Sequence, residues 1–129
     1  MQIIPQTLHT WDTELSADSV EWCPNKGYEN ILAVGTYQVE KSDDSETFSS
    51  SQRSGKITLH KIDNDLILLQ TLNVAAVLDM KWAPEINDNI SDTEIVPKLA
   101  VVDAKGMILS CAFDLIRKTE ILTHNKCLF

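Results

Sequence analysis

The chain has 129 residues, 43% of them hydrophobic and 23% charged, which points to a single folded unit rather than a disordered tail or a fibrous repeat. Eleven Lys and Arg face nineteen Asp and Glu, a net charge of −8, which argues against nucleic acid and against an anionic membrane surface as partners. The acidity is concentrated: residues 1–50 hold nine acids against Lys26 and Lys41, while residues 51–129 hold ten acids against nine bases. A cationic partner would favour the N-terminal portion; a loop kept solvated for solubility explains the same charge.

Taken in chain order, the apolar runs have the short length and turn-rich punctuation of strands. The sequence predicts strands at Gln6–Trp11, Ser19–Trp22, Ile31–Val39, Lys56–Ile62, Leu66–Leu72, Ala76–Trp82, Lys98–Val102, Met107–Phe113 and Lys118–Thr123. No window sustains the i, i+3, i+4, i+7 spacing of an amphipathic helix. Glu40–Ser54 is polar and Ser-rich and predicts a disordered loop; Glu85–Thr93 is similar. Both interrupt a repeating unit and do not separate domains.

The repeat is the most informative feature. Ser19-Val20-Glu21-Trp22-Cys23-Pro24 is echoed by Leu78-Asp79-Met80-Lys81-Trp82-Ala83-Pro84, with the two Trp-x-Pro triplets 60 positions apart. Ile31-Leu32-Ala33-Val34-Gly35 is matched by Lys98-Leu99-Ala100-Val101-Val102, and then come the strands led by Gly55 and Gly106. Such a unit predicts a four-stranded antiparallel blade. In it Pro ends the inner strand because it has no N–H to donate, Trp packs between neighbours, and Gly opens the third strand after a turn. Blades bury their faces only against other blades. The expected fold is therefore all-β, with WD40-like β-propeller blades. Residues 1–129 are expected to form the N-terminal part of a propeller, one blade at about 19–72 with loop 40–54, the other at about 76–123. Two blades leave open edges and an unclosed ring, so the isolated chain is expected to be unstable or to aggregate.

Signals for chemistry are sparse. The glycines Gly27, Gly35, Gly55 and Gly106 form no Gly-x-Ser-x-Gly elbow, and His9, His60 and His124 lie on separate segments. His60 reads as an ordinary strand residue, and Ser49-Ser50-Ser51 in the Ser-rich stretch lack rigid support for a nucleophile. Cys23, Cys111 and Cys127 form neither a CxxC pair nor a metal spacing, so no metal or other cofactor is expected. The start of the chain lacks the basic and apolar regions of a signal peptide, and the expected location is cytoplasmic. Trp11-Asp12 imitates a WD dipeptide but stands too close to Trp22 to end a third strand. Asp12, Glu14, Asp18 and Glu21 cluster beside Trp11 and Trp22. Aromatic faces flanked by carboxylates suit a quaternary ammonium group, and a carboxylate can activate water. The plainer alternative has Trp22 packing a blade and Asp18 holding a turn.

The run from Asp12 to Pro24 closely resembles the N-terminal signature of the WD-repeat family of diphthamide biosynthesis, the diphthine methyl ester hydrolases. Leu32-Ala33-Val34-Gly35-Thr36-Tyr37-Gln38 and Ala76-Val77-Leu78-Asp79-Met80-Lys81-Trp82 extend the resemblance in the family's order. Together the segments cover roughly the first quarter of a full family member, whose complete propeller this chain does not reach. The resemblance implies a diphthine methylesterase acting on elongation factor 2, with no cofactor. Asp12, Glu14 and Asp18 are the candidate catalytic carboxylates. A non-catalytic adaptor that presents loops to protein partners, or an inactive short form, fits the same fold.

Overall fold

The computed structural model describes residues 1–40, 52–84 and 96–113, together with the backbone of 121–124. These residues form nine strands and no helix: β1 (Ala17–Trp22), β2 (Ile31–Thr36), β3 (Gln38–Glu40), β4 (Gln52–Ile62), β5 (Leu66–Ala75), β6 (Val77–Trp82), β7 (Lys98–Asp103), β8 (Ile108–Phe113) and β9 (Ile121–His124). No helix among them is long and apolar enough to cross a membrane.

All pairings are antiparallel. One sheet runs β1-β2-β4-β5, with β3 continuing the path of β2 along β4; the other runs β6-β7-β8-β9. The class is all-β and each sheet has the order of a WD40-like blade, although the described residues close no ring. The repeat holds down to single residues. β1 and β6 start and end 60 positions apart, and a register shift falls between Ala17 and Ser19 in one and between Val77 and Asp79 in the other.

The Trp-x-Pro triplet stops each inner strand as its chemistry requires. Cys23 N–H still donates to the Ile31 carbonyl at 2.9 Å, and Ala83 N–H to the Lys98 carbonyl at 2.8 Å. The prolines that follow have no N–H with which to continue. At the β7–β8 turn, Asp103 Oδ1 accepts the backbone N–H groups of Lys105 and Met107, and Gly106 takes a φ of 77°. Gly106 is thus the turn glycine the sequence predicts.

Gly55 differs: it lies inside β4, where an added Cβ would stand 2.5 Å from the Thr36 carbonyl oxygen. Close approach of backbones, not a turn, requires glycine there. The predicted run Ile31–Val39 is also divided, because Tyr37 N–H leaves the ladder to donate to the Ser16 carbonyl. β5 outruns its predicted end at Leu72, since Val74 and Ala75 pair with Gly55 and Ser54 of the lengthened β4. Of the predicted loop 40–54, Glu40 and Gln52–Ser54 are paired strand residues, and 41–51 lie outside the described residues. So does the second predicted loop, 85–93. Gln6–Trp11, predicted as a strand, forms none, because none of its backbone groups enters a sheet ladder among the described residues.

The core lies between the sheets. Glu21, Ala33, Leu59 and Gln70 form one row across the first sheet, and on this side it meets β6. Trp82 is 4% exposed, its ring 5.7 Å from that of Phe113, and its Nε1–H donates to the Glu21 carbonyl at 3.0 Å. Small residues make the approach possible: a Cβ on Gly35 would come within 2.7 Å of Val77 Cγ1. On the opposite side Trp22, Leu32, His60 and Leu68 form a row, and Trp22 is 53% exposed. Equivalent tryptophans therefore have unequal roles. Trp82 packs between the sheets as the repeat predicts, whereas Trp22 has no sheet against it among the described residues.

Trp82→Ala is expected to destabilise the chain by about 3–5 kcal/mol, whereas Trp22→Ala at high dilution changes stability by no more than about 1 kcal/mol. Urea denaturation of the two variants checks this, and equal losses would refute the asymmetry. Gly35→Ala is expected to cost about 1–3 kcal/mol through overpacking against Val77, read in the same titration.

Candidate functional site

The outer side of the first sheet is where the sequence-predicted residues meet. The segment before β1 does not pair, but it crosses this side and sets Trp11 against His60, ring centroids 5.0 Å apart and nearly edge to face. His60 is 1% exposed. Its Nε2 shares a 2.9 Å hydrogen bond with Thr58 Oγ1, while its Nδ1 has no partner among the described residues. Burial pulls the imidazole pKa below the usual histidine range, because a charged ring would lose water without gaining an acid. The ring is therefore neutral at ordinary pH. Roofed by Trp11, it reaches no substrate unless Trp11 moves aside.

The carboxylates follow Trp11 in a tight turn. Asp12 Oδ1 accepts the Glu14 N–H at 2.8 Å, and Glu14 adopts a φ of 63°, a left-handed conformation uncommon outside glycine. Glu14 Oε2 pairs with Lys56 Nζ at 2.6 Å, tying the turn to β4 across exposed surface. Asp18 is exposed at the register shift of β1. Glu21 belongs to the inward-facing row and lends its carbonyl to Trp82, so it stands on the other side of the sheet from Trp22. Asp12, Glu14 and Trp11 are thus brought together. Asp18 lies apart at the strand, and Glu21 is separated from them by the sheet itself.

Sequence reasoning did not find the contact of Trp11 with His60. The residues are 49 positions apart and neither carries a local motif. The signal that was available is the repeat. With its 60-residue offset, Gln6–Trp11 falls on Leu66–Thr71, part of β5, the outer strand of the preceding sheet. Cys23 and Cys111 are both buried, and burial raises the Cys111 thiol pKa, which leaves it an inert thiol.

No protein-family model and no solved structure matches the chain. Two curated proteins do. The chain is 42% identical over 85 residues to the mouse (Mus musculus) protein named Diphthine methyltransferase, which covers 60% of this chain and 18% of that protein. It is 38% identical over 90 residues to the human (Homo sapiens) protein of the same name, covering 58% of this chain and 20% of that one. Over this stretch the chain is similar to two proteins that bear that name. The resemblance carried by the signature segment is thereby borne out, and the chain spans about a fifth of the length of the curated relatives it matches.

The neutral, buried His60 has a consequence for stability. The unfolded chain binds a proton near the usual histidine pKa of about 6.5, and the folded chain resists it. The stabilisation is complete above that value and is lost as pH falls through it toward the lowered folded pKa. His60→Leu is expected to flatten this loss. Urea midpoints measured at about pH 7.5 and about pH 5.5 check it, and an unchanged pH dependence in the variant would refute it.

Proposed function

We propose that this chain is part of an enzyme of diphthamide biosynthesis that hydrolyses the methyl ester of diphthine on elongation factor 2, in the cytoplasm. The observation that carries the pathway is the similarity to the two proteins named Diphthine methyltransferase. Their name speaks of methyl transfer. Support for hydrolysis comes from the resemblance of Asp12–Pro24 to the methyl ester hydrolase signature and from the chemistry of the exposed turn.

In the hydrolysis, water attacks the ester carbonyl, the bond to the methoxy group breaks, and methanol leaves. A carboxylate remains and one proton is released. Asp12 in its turn, or Asp18 at the strand edge, is the base that takes the proton from water. The face of Trp11 and the acidic surface of residues 1–40 suit the trimethylammonium group of diphthine. The split of Glu21 from Trp22 removes Glu21 from this receptor, and the Lys56 pair makes Glu14 a positioning residue for the turn.

The full-length protein, given elongation factor 2 bearing methylated diphthine, is expected to release methanol and to lower the substrate mass by one methylene unit. A mass increase that depends on a methyl donor would overturn the hydrolase reading. Neutralising Asp12, Glu14 and Asp18 together (Asp12→Asn, Glu14→Gln, Asp18→Asn) is expected to lower kcat/KM by about 10²-fold or more. Undiminished demethylation would remove these carboxylates from the mechanism.

A further inference from the structure

The two sheets meet through one side of each, which leaves the other side of each without a sheet against it among the described residues, and the repeat relates those two sides to the buried pair. On the first sheet the open side carries Val20 and Trp22, 59% and 53% exposed. The 60-residue offset equates them with Met80 and Trp82, which are buried against the first sheet. On the second sheet the open side carries the row Lys81, Ala100 and Ser110. The registers equate Lys81 with Glu21, whose carbonyl receives the Trp82 N–H, and Ala100 with Ala33, the small residue beside it. Among the described residues, one end thus presents an exposed tryptophan, and the other presents an open copy of the seat that holds its twin. Trp11 of the N-terminal segment covers β4 at His60, whereas Val20 and Trp22 on β1 stay exposed.

We infer that the open Trp22 side is a docking surface for the second sheet of another copy of this chain. Trp22 Nε1–H donates to the Lys81 carbonyl of the other copy and Val20 packs beside Ala100, repeating between molecules the contact that Trp82 makes within one. Charge favours the same pairing. The seat side carries Lys81 and Lys98 against one acid, Asp79, all exposed, and the strand that bears Trp22 carries the exposed Asp18. The contact is heterologous, because the two surfaces differ. Each added copy therefore leaves one free tryptophan and one free seat, and growth stops only if a ring closes. A second copy resolves the exposed apolar side in the chain by itself, and does so through an ordered interface rather than disordered aggregation.

Sedimentation equilibrium of the 129-residue chain tests this across the micromolar range. The weight-average mass is expected to rise with concentration past that of a dimer, and less steeply at high salt. Trp22→Glu and Ala100→Arg, both exposed positions, are each expected to give monomers with unchanged circular dichroism. Mixed in equal amounts, the two variants are expected to form a dimer and nothing larger, since one intact tryptophan and one intact seat remain. A monomer at every concentration overturns the inference and leaves the surface to a further sheet of a longer polypeptide. Association that persists in both variants, or a mixture that stays monomeric, overturns it equally.

Discussion

The indole of Trp82, seated on the Glu21 carbonyl, ties the inner strands of the two sheets together within their shared core. A blade-like sheet has two sides, and its strands are too short to be stable with both in water. The tryptophan solves this for one side by adding a large apolar area and sending its only polar atom to a carbonyl of the neighbouring inner strand. The rest of the interior is arranged around that approach. Ala33 and Gly35 keep β2 low enough for Val77, and Gly55 lets β4 run beside the backbone of Thr36.

The same constraint explains the outer side of the first sheet. Trp22 has the chemistry of Trp82 but no sheet to receive it among the described residues, and the N-terminal segment supplies only partial cover. That cover buries His60 beneath Trp11, leaves its Nδ1 without a partner among the described residues, and lowers the imidazole pKa. It also holds the Asp12–Glu14 turn against β4 through Lys56. Structure and chemistry are therefore coupled here. The residues of the proposed receptor are the ones standing where a neighbouring sheet would otherwise be needed.

Much of the architecture is legible in the sequence. Val, Ile and Leu in short runs, ended by Trp-x-Pro, specify strands and their stops through local chemistry alone, and the two copies agree on order. Less legible were features that depend on what lies alongside. Gln6–Trp11 has the composition of a strand but joins no ladder among the described residues. Gly55 resembles a turn glycine but answers a close backbone approach. The carboxylates are neighbours along the chain, yet alternation in β1 sends the Glu21 and Trp22 side chains to opposite sides of the sheet.

By itself the sequence determined the all-β class, the 60-residue repeat, the ends of the inner strands and the resemblance to a family of diphthamide biosynthesis. These rest on backbone preference and on residue order, which need no partner. Only the tertiary structure decided which tryptophan is buried, which carboxylates share a side, and that a histidine far along the chain lies under Trp11. A residue's environment on a sheet is set by register and by whatever covers that side, and neither is written in the residue or its sequence neighbours.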